Sequence, residues 1–296
     1  MGKVKVVPGS GSRELAFKVA KVMESELVDV ESKYFPDGEI YVRLKGEVEG
    51  ERVAVIHSMA RHPNRLLVEF LLLVRTLKDL GAKEVIGVIP YFPYLRQDAR
   101  FKSGEAVSAK IISEVIGASG VDVVISVDPH LHRIKDLERY LGIRFKNVTA
   151  MRALARYFVE RYELKEPILI APDEEAEQWV KVFSDEMGVD YKILIKERVT
   201  PSEVKLRTNY LDIKGRDVIV VDDIISTGTT IAEAAKVLKT AGARRIFATC
   251  THPLLIGDAL YKIYRAGVEE VIATDTVASP VSVVSVAPIL ARTLTT

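Results

Sequence analysis

Short β-branched apolar runs alternate with stretches of helical spacing along most of this chain. The runs fall at 4–7, 52–56, 85–89, 121–127, 168–171, 192–195, 218–221, 246–249 and 271–274. Helical spacing appears at Leu15, Val19, Val22 and Met23, and again over 66–80, 107–116, 151–160, 176–187 and 231–240. This alternation predicts an α/β fold in which parallel sheets are flanked by helices. Ligands in such folds bind at the carboxyl ends of the strands, so the residues just after each run are the candidates for chemistry.

The two halves echo one another. The run 52–56 leads through His57 and Ser58 to a helix, then to Gly81-Ala82-Lys83 and a strand, and later to Gly120-Val121-Asp122 and another. The run 217–221 leads through Asp222 and Asp223 to a helix, then to Gly242-Ala243-Arg244 and a strand, and later to Gly267-Val268-Glu269. A degenerate duplication explains this order of parts. The expected domains are 1–147 and 148–279. The run 281–289 has no counterpart in the echo, so about 280–296 is expected to return to the first domain.

Length agrees, since 296 residues suggest two domains at about 150 residues each. Lys+Arg 42 against Asp+Glu 41 gives a net charge of +1, which excludes a basic nucleic-acid-coating protein and an acidic disordered chain. Cys250 is the only cysteine, so intrachain disulfides and cysteine-rich zinc sites are excluded. No apolar segment looks like a signal peptide, and the greasiest stretch, 66–74, is interrupted by Glu69. The expectation is a cytoplasmic protein with no nucleic-acid or membrane partner.

The strongest chemical signal is Val220-Val221-Asp222-Asp223-Ile224-Ile225-Ser226-Thr227-Gly228-Thr229-Thr230. A strand ends in two carboxylates, and a small-residue turn opens a helix. Such a turn aims N–H groups and hydroxyls at a phosphate, with the helix dipole behind them. Gly228 lets the backbone approach closely. The adjacent acids repel phosphate but can accept from sugar hydroxyls or hold a hydrated metal. A plain strand-to-helix turn, capped by Ser226 or Thr227, is the bland alternative. The full string resembles the 5-phosphoribosyl-binding loop of the phosphoribosyltransferase-type fold. The corresponding turn of the first half, at His57 and Ser58, lacks the acids.

Other segments stand in a consistent order: Phe35-Pro36-Asp37-Gly38-Glu39-Ile40, Pro90-Tyr91-Phe92-Pro93-Tyr94-Leu95-Arg96-Gln97-Asp98, Asp128-Pro129-His130, Ala171-Pro172-Asp173 and Lys196-Glu197-Arg198. Together they resemble motifs of the ribose-phosphate pyrophosphokinase family, archaeal members above all. The resemblance implies two phosphoribosyltransferase-type domains. It implies transfer of the diphosphoryl group of ATP to the anomeric hydroxyl of ribose 5-phosphate, with Mg²⁺. Asp222, Asp223, Ser226, Thr227, Gly228, Thr229 and Thr230 become the ribose-5-phosphate site. Arg96 and Gln97 become ATP contacts, joined by Phe35, Asp37 and Glu39 from a neighbouring subunit, which requires a homo-oligomer of at least two chains.

The same resemblance gives Mg²⁺ to His130 and Asp173, His130 acting through water or by orienting a phosphate, and gives catalysis to Lys196 and Arg198. On local pattern alone, 35–40 reads as a turn and Lys196 with Arg198 as a solvated charge cluster in a loop. Asp98 and Arg100 read equally as a solvated pair or as functional. Three glutamates follow Asp173 where many relatives carry glycine-bearing small residues, and capping of the next helix is the role expected of them. A phosphoribosyltransferase is the alternative, opposed by the second α/β half and by Arg96-Gln97. A regulatory nucleotide binder is a third reading, opposed by Lys196, Arg198, His130 and Asp173.

Overall fold

The computed structural model describes residues 4–200, 203–206 and 212–296, with the backbone alone at 196–200 and 203–206. The chain divides into two compact units, Met1–Thr149 with Ser285–Thr296, and Ala150–Val284.

The first unit contains β1 (Val4–Pro8), α1 (Arg13–Met23), β2 (Val30–Tyr34), β3 (Ile40–Leu44), β4 (Arg52–Ile56) and α2 (Pro63–Asp79). It continues with β5 (Glu84–Ile89), α3 (Ser108–Gly117), β6 (Val123–Val127), α4 (Glu138–Leu141) and β7 (Arg144–Val148). The sheet has the order β1-β4-β5-β6-β7 and every pairing in it is parallel. β2 and β3 form a separate antiparallel hairpin.

The second unit contains α5 (Met151–Arg161), β8 (Ile168–Ala171), α6 (Glu177–Met187), β9 (Tyr191–Ile193), β10 (Lys196–Thr200) and β11 (Glu203–Leu206). Then come β12 (Asp217–Ile225), α7 (Thr229–Thr240), β13 (Arg245–Pro253), α8 (Ala259–Arg265), β14 (Glu270–Thr274) and β15 (Ser282–Val284). Its parallel sheet runs β15-β14-β13-β12-β8-β9, and β10 and β11 form a hairpin.

The two topologies correspond. β9 lies outside β8, and Leu27 makes a parallel bridge to Val6 outside β1. Each unit inserts a hairpin before its next sheet strand. The final helix, α9 (Ala287–Thr295), packs on α1 as α5 packs on α6. The first unit thus draws from the chain's end the helix that the second unit has at its start.

Alternation along the strands builds the cores, because successive side chains point to opposite faces. In the second unit Ile168, Ile170, Val218, Val220 and Ala248 join the core under α7 and α8. Leu169, Ala171, Ile219, Val221 and Phe247 join that under α5 and α6. Both faces are covered, which is why these strands read as unbroken apolar runs. Among the described residues no helix is long and apolar enough to cross a membrane.

Candidate active site

The run expected to stop at Val221 continues as strand through Ile225. β8 pairs with β12 only over Val218–Val220, but β13 is equally long and pairs onward, Asp222 opposite Cys250, Ile224 opposite His252 and Ile225 opposite Pro253. The acid pair is therefore held in rigid, paired backbone beyond the neighbouring strand end. Asp223 is buried and Asp222 half-buried, and the Asp223 N–H donates to Asp222 Oδ1 at 2.9 Å. Burial, then the charges of Asp223 and Asp173, push the Asp222 carboxyl well above its ordinary value. Asp173 lies just past the end of β8, where its Oδ1 accepts from Ala176 N at 3.3 Å. Asp173, rather than the glutamates after it, caps that turn. Glu174, Glu175 and Glu177 are exposed, and Glu177 accepts from the Tyr191 hydroxyl at 3.1 Å.

The turn after β12 is pinned from outside, because Leu255 N donates to Ile225 O and Ile256 N to Ser226 O, both at 3.0 Å. Gly228 then takes φ +75 at the N-cap of α7, a left-handed conformation that glycine adopts without penalty. A Cβ there would sit 2.8 Å from Ala259 O and 3.1 Å from Ile263. The first bond of α7 runs from Ala232 N to Gly228 O at 2.9 Å, and no side chain caps the helix. The N–H groups ahead of Ala232 thus have no acceptor within the helix. Thr227 and Thr229 are exposed beside them, their hydroxyls 3.3 Å apart. This is a ready anion cradle, next to carboxylates suited to hydroxyl donors.

Behind the strand ends lies a buried polar network absent from the expectations based on sequence. His252 Nδ1 meets Thr276 Oγ1 at 2.9 Å, and the Thr274 and Thr276 hydroxyls both donate to Thr251 O. Its signal in the sequence is a set of polar residues interrupting apolar strand ends.

In the first unit, the segment from Phe35 to Glu39 closes the β2–β3 hairpin. Phe35 N donates to Glu39 O and Gly38 N to Phe35 O, while Asp37 Oδ1 accepts from Glu39 N. The tip is exposed, and Phe35 stands edge-on to Tyr41. Arg96 and Gln97 lie beyond the end of β5. Arg96 is exposed, whereas the Gln97 amide donates to Ala99 O and Glu105 Oε2 at 3.1 Å each. His130 lies beyond the end of β6, its Nε2 2.9 Å from that of His132. Asp98 and Arg100 are not a solvated pair: Asp98 is buried and bound to Arg133, and Arg100 Nε donates to Glu105 O. Lys196 and Arg198 stand two positions apart on β10 instead of in a loop, and their side chains lie outside the described residues.

Arg96, Gln97 and His130 thus follow strand ends of the first unit's sheet, and Asp173 and 222–230 those of the second, whereas Phe35, Asp37 and Glu39, and Lys196 and Arg198, stand on separate hairpins. Residues 4–120 match the N-terminal domain of ribose phosphate pyrophosphokinase, and residues 145–272 match the phosphoribosyl transferase domain. The chain is 44% identical over 286 residues to the ribose-phosphate pyrophosphokinase of Methanothermobacter thermautotrophicus, covering 97% of this chain and 98% of that one.

This chain belongs to the ribose-phosphate pyrophosphokinase family.

A second relative, the ribose-phosphate pyrophosphokinase of Methanopyrus kandleri, is 39% identical and covers 97% of each chain. The crystal structure of phosphoribosylpyrophosphate synthetase from Mycobacterium smegmatis superposes with a TM-score of 0.89 at 28% identity, covering 99% of this chain and 98% of that one. Full-length likeness to a family member accounts for both α/β units, which a lone phosphoribosyltransferase domain does not.

Proposed function

We propose that this chain transfers the diphosphoryl group of ATP to the anomeric hydroxyl of ribose 5-phosphate, giving 5-phosphoribosyl 1-pyrophosphate and AMP. The observation that carries this reading is the cradle at Gly228 directly after Asp222 and Asp223, in a chain matched along its length by pyrophosphokinases. The anomeric oxygen attacks the β-phosphorus, the bond from that phosphorus to the α,β-bridging oxygen breaks, and the hydroxyl proton is released.

The first N–H groups of α7, with Ser226, Thr227, Thr229 and Thr230, hold the 5-phosphate. Asp222 and Asp223 accept from the ribose hydroxyls and fix the anomeric carbon. Arg96 and Gln97 meet ATP, and Phe35, Asp37 and Glu39 complete that site from a second chain. Their exposed position at a hairpin tip supports this, and the assembly is at least a dimer. Lys196 and Arg198 neutralise charge on the transferred group, where positioned cations act most strongly.

Mg²⁺ fits the second unit. Its donors there are carboxylate oxygens, the ligands a hard cation prefers, and the mutual repulsion of Asp222, Asp223 and Asp173 is what such a cation relieves. Asp173 meets that test within its own unit, while the role of His130, in the other unit, rests on the family resemblance. When bound, Mg²⁺ offsets phosphate charge. The setting is cytoplasmic, where ATP and sugar phosphates are available.

Incubation with ATP, Mg²⁺ and ribose 5-phosphate tests the reading. AMP and a diphosphorylated ribose should form in equal amounts. Release of ADP or no product over a range of temperatures and phosphate concentrations overturns it.

A further inference from the structure

Within the first unit, one carboxylate joins two loops. Asp98 is the residue immediately after Arg96 and Gln97 and is only 7% exposed. Its Oδ2 accepts from Arg133 N at 3.0 Å and its Oδ1 from Arg133 Nη1 at 3.1 Å. Arg133 belongs to the loop after β6, three residues beyond His130. A buried carboxylate needs partners of this kind, because its charge is costly to bury alone. The partnership fixes the segment after β5 against the segment after β6 by two points, one of them backbone.

The far side of the same segment is fixed as well. Glu105 Oε2 accepts from Gln97 Nε2, Phe101 N and Lys102 N. Ala109 N, in α3, donates to Gln97 O, and the Arg133 guanidinium lies 5.1 Å from the Phe101 ring centroid. The exposed Arg96 side chain therefore stands on a peptide whose successors are held by buried or multiply bonded acids.

We propose that Asp98 is a positioning residue for the nucleotide, presetting Arg96 and Gln97 through its clamp on Arg133. This rests on the reading that Arg96 and Gln97 contact ATP. A preset loop has less freedom to lose on binding, and displacement of a positioned group by about 1 Å can cost up to roughly a hundredfold in rate. The clamp touches no reacting atom, so its loss should weaken ATP preferentially.

The test compares Arg96→Ala, Asp98→Asn and Arg133→Met in the full-length protein. Each is assayed for kcat, KM for ATP, KM for ribose 5-phosphate, equilibrium binding of a non-hydrolysable ATP analogue, and thermal midpoint. Asp98→Asn should raise KM for ATP about tenfold and weaken the analogue similarly, with KM for ribose 5-phosphate moving less than about twofold. Arg133→Met keeps the backbone bond to Asp98 and should shift the same constants in the same direction by less, about threefold. It remains informative where Asp98→Asn fails to fold, since the Arg133 side chain is half-exposed. If Arg96→Ala weakens ATP but both clamp variants leave it unchanged, the positioning role is refuted alone. It is equally refuted if both KM values rise together with a lowered thermal midpoint. If Arg96→Ala itself leaves KM for ATP unchanged, the ATP reading beneath the proposal fails first.

Discussion

Replacing Gly228 by alanine tests the phosphate cradle with a single methyl group. At φ +75 an L-residue pays about 1–2 kcal/mol that glycine avoids. The added Cβ would also lie 2.8 Å from the Ala259 carbonyl oxygen, a backbone atom, and 3.1 Å from Ile263. Relief requires either the turn to move away from α8 or α8 to move with its packing. Ala259 and Ile263 are fully buried in their core, so α8 resists moving and the strain falls on the turn, although two backbone hydrogen bonds pin it. Moving it swings the first N–H groups of α7 away from the anion. A loss of about 2 kcal/mol in phosphate binding corresponds to roughly thirtyfold in affinity. Steady-state assays with each substrate varied in turn read the outcome: KM for ribose 5-phosphate rises about thirtyfold, whereas KM for ATP stays within about twofold. Thermal melting separates this from unfolding. A folded Gly228→Ala protein with an unchanged KM for ribose 5-phosphate would refute the cradle.

Lys196→Ala should lower kcat by roughly a hundred- to a thousandfold, as loss of one transition-state donor does, with both KM values little changed; unimpaired turnover would remove Lys196 from catalysis. Phe247→Ala should cost about 3–5 kcal/mol in urea unfolding, because Phe247 is fully buried against Phe158 and Tyr162; a shift below about 1 kcal/mol would contradict that packing. Asp217 is buried and accepts from Arg244 Nε at 2.7 Å and Lys165 N at 2.8 Å. Burial alone would raise its carboxyl, but the Arg244 and Lys165 hydrogen bonds and the Arg244 charge outweigh that and hold it below the ordinary value. A lowered folded value means its stabilisation is full above the unfolded value near pH 4 and lost as pH falls through the lower one. Asp217→Asn should therefore lower the urea midpoint at neutral pH and approach the wild type in acid, and a pH-independent difference would refute the linkage.

Periodicity exposed the order of strands and helices because both faces of each sheet are covered, leaving apolar runs that stand out between polar helices. The turn at the start of α7 was legible for a different reason: a left-handed glycine between threonines at a helix start has few substitutes. Side-chain partnerships across the fold were not legible. Glu69 interrupts an apolar run with a charged side chain, yet it is fully buried and accepts from Ser10 N at 3.0 Å, 59 positions away. Asp98 reads equally as solvated or functional because nothing in the sequence ties it to Arg133. The length of β12 escaped for a related reason, since Asp222 and Asp223 mark a strand end by type but pairing with β13 carries the backbone on.

The proposed sugar-phosphate site follows β12, and the turn after β4 differs from it in what fills it. After β4 comes His57, fully buried, whose Nε2 donates to Leu66 O at 2.9 Å and whose Nδ1 faces Gly11 N at 3.4 Å. Burial lowers its proton affinity, and the opposing pull of Glu69 does not cancel this, so the imidazole stays neutral. The ring packs against the loop after β1 so closely that a Cβ on Gly9 would lie 2.0 Å from Nδ1. Behind it the Glu69 carboxylate takes both the N–H and the hydroxyl of Ser10. A phosphate entering there would have to displace a packed ring and approach a buried acid through low-dielectric surroundings, which strengthen repulsion. In β12 the acids Asp222 and Asp223 stand where His57 and Ser58 stand after β4, and Gly228 with the open start of α7 follows them. One order of parts thus yields a turn after β4 closed by a buried histidine and a turn after β12 left open at the start of α7, where the proposed 5-phosphate would sit.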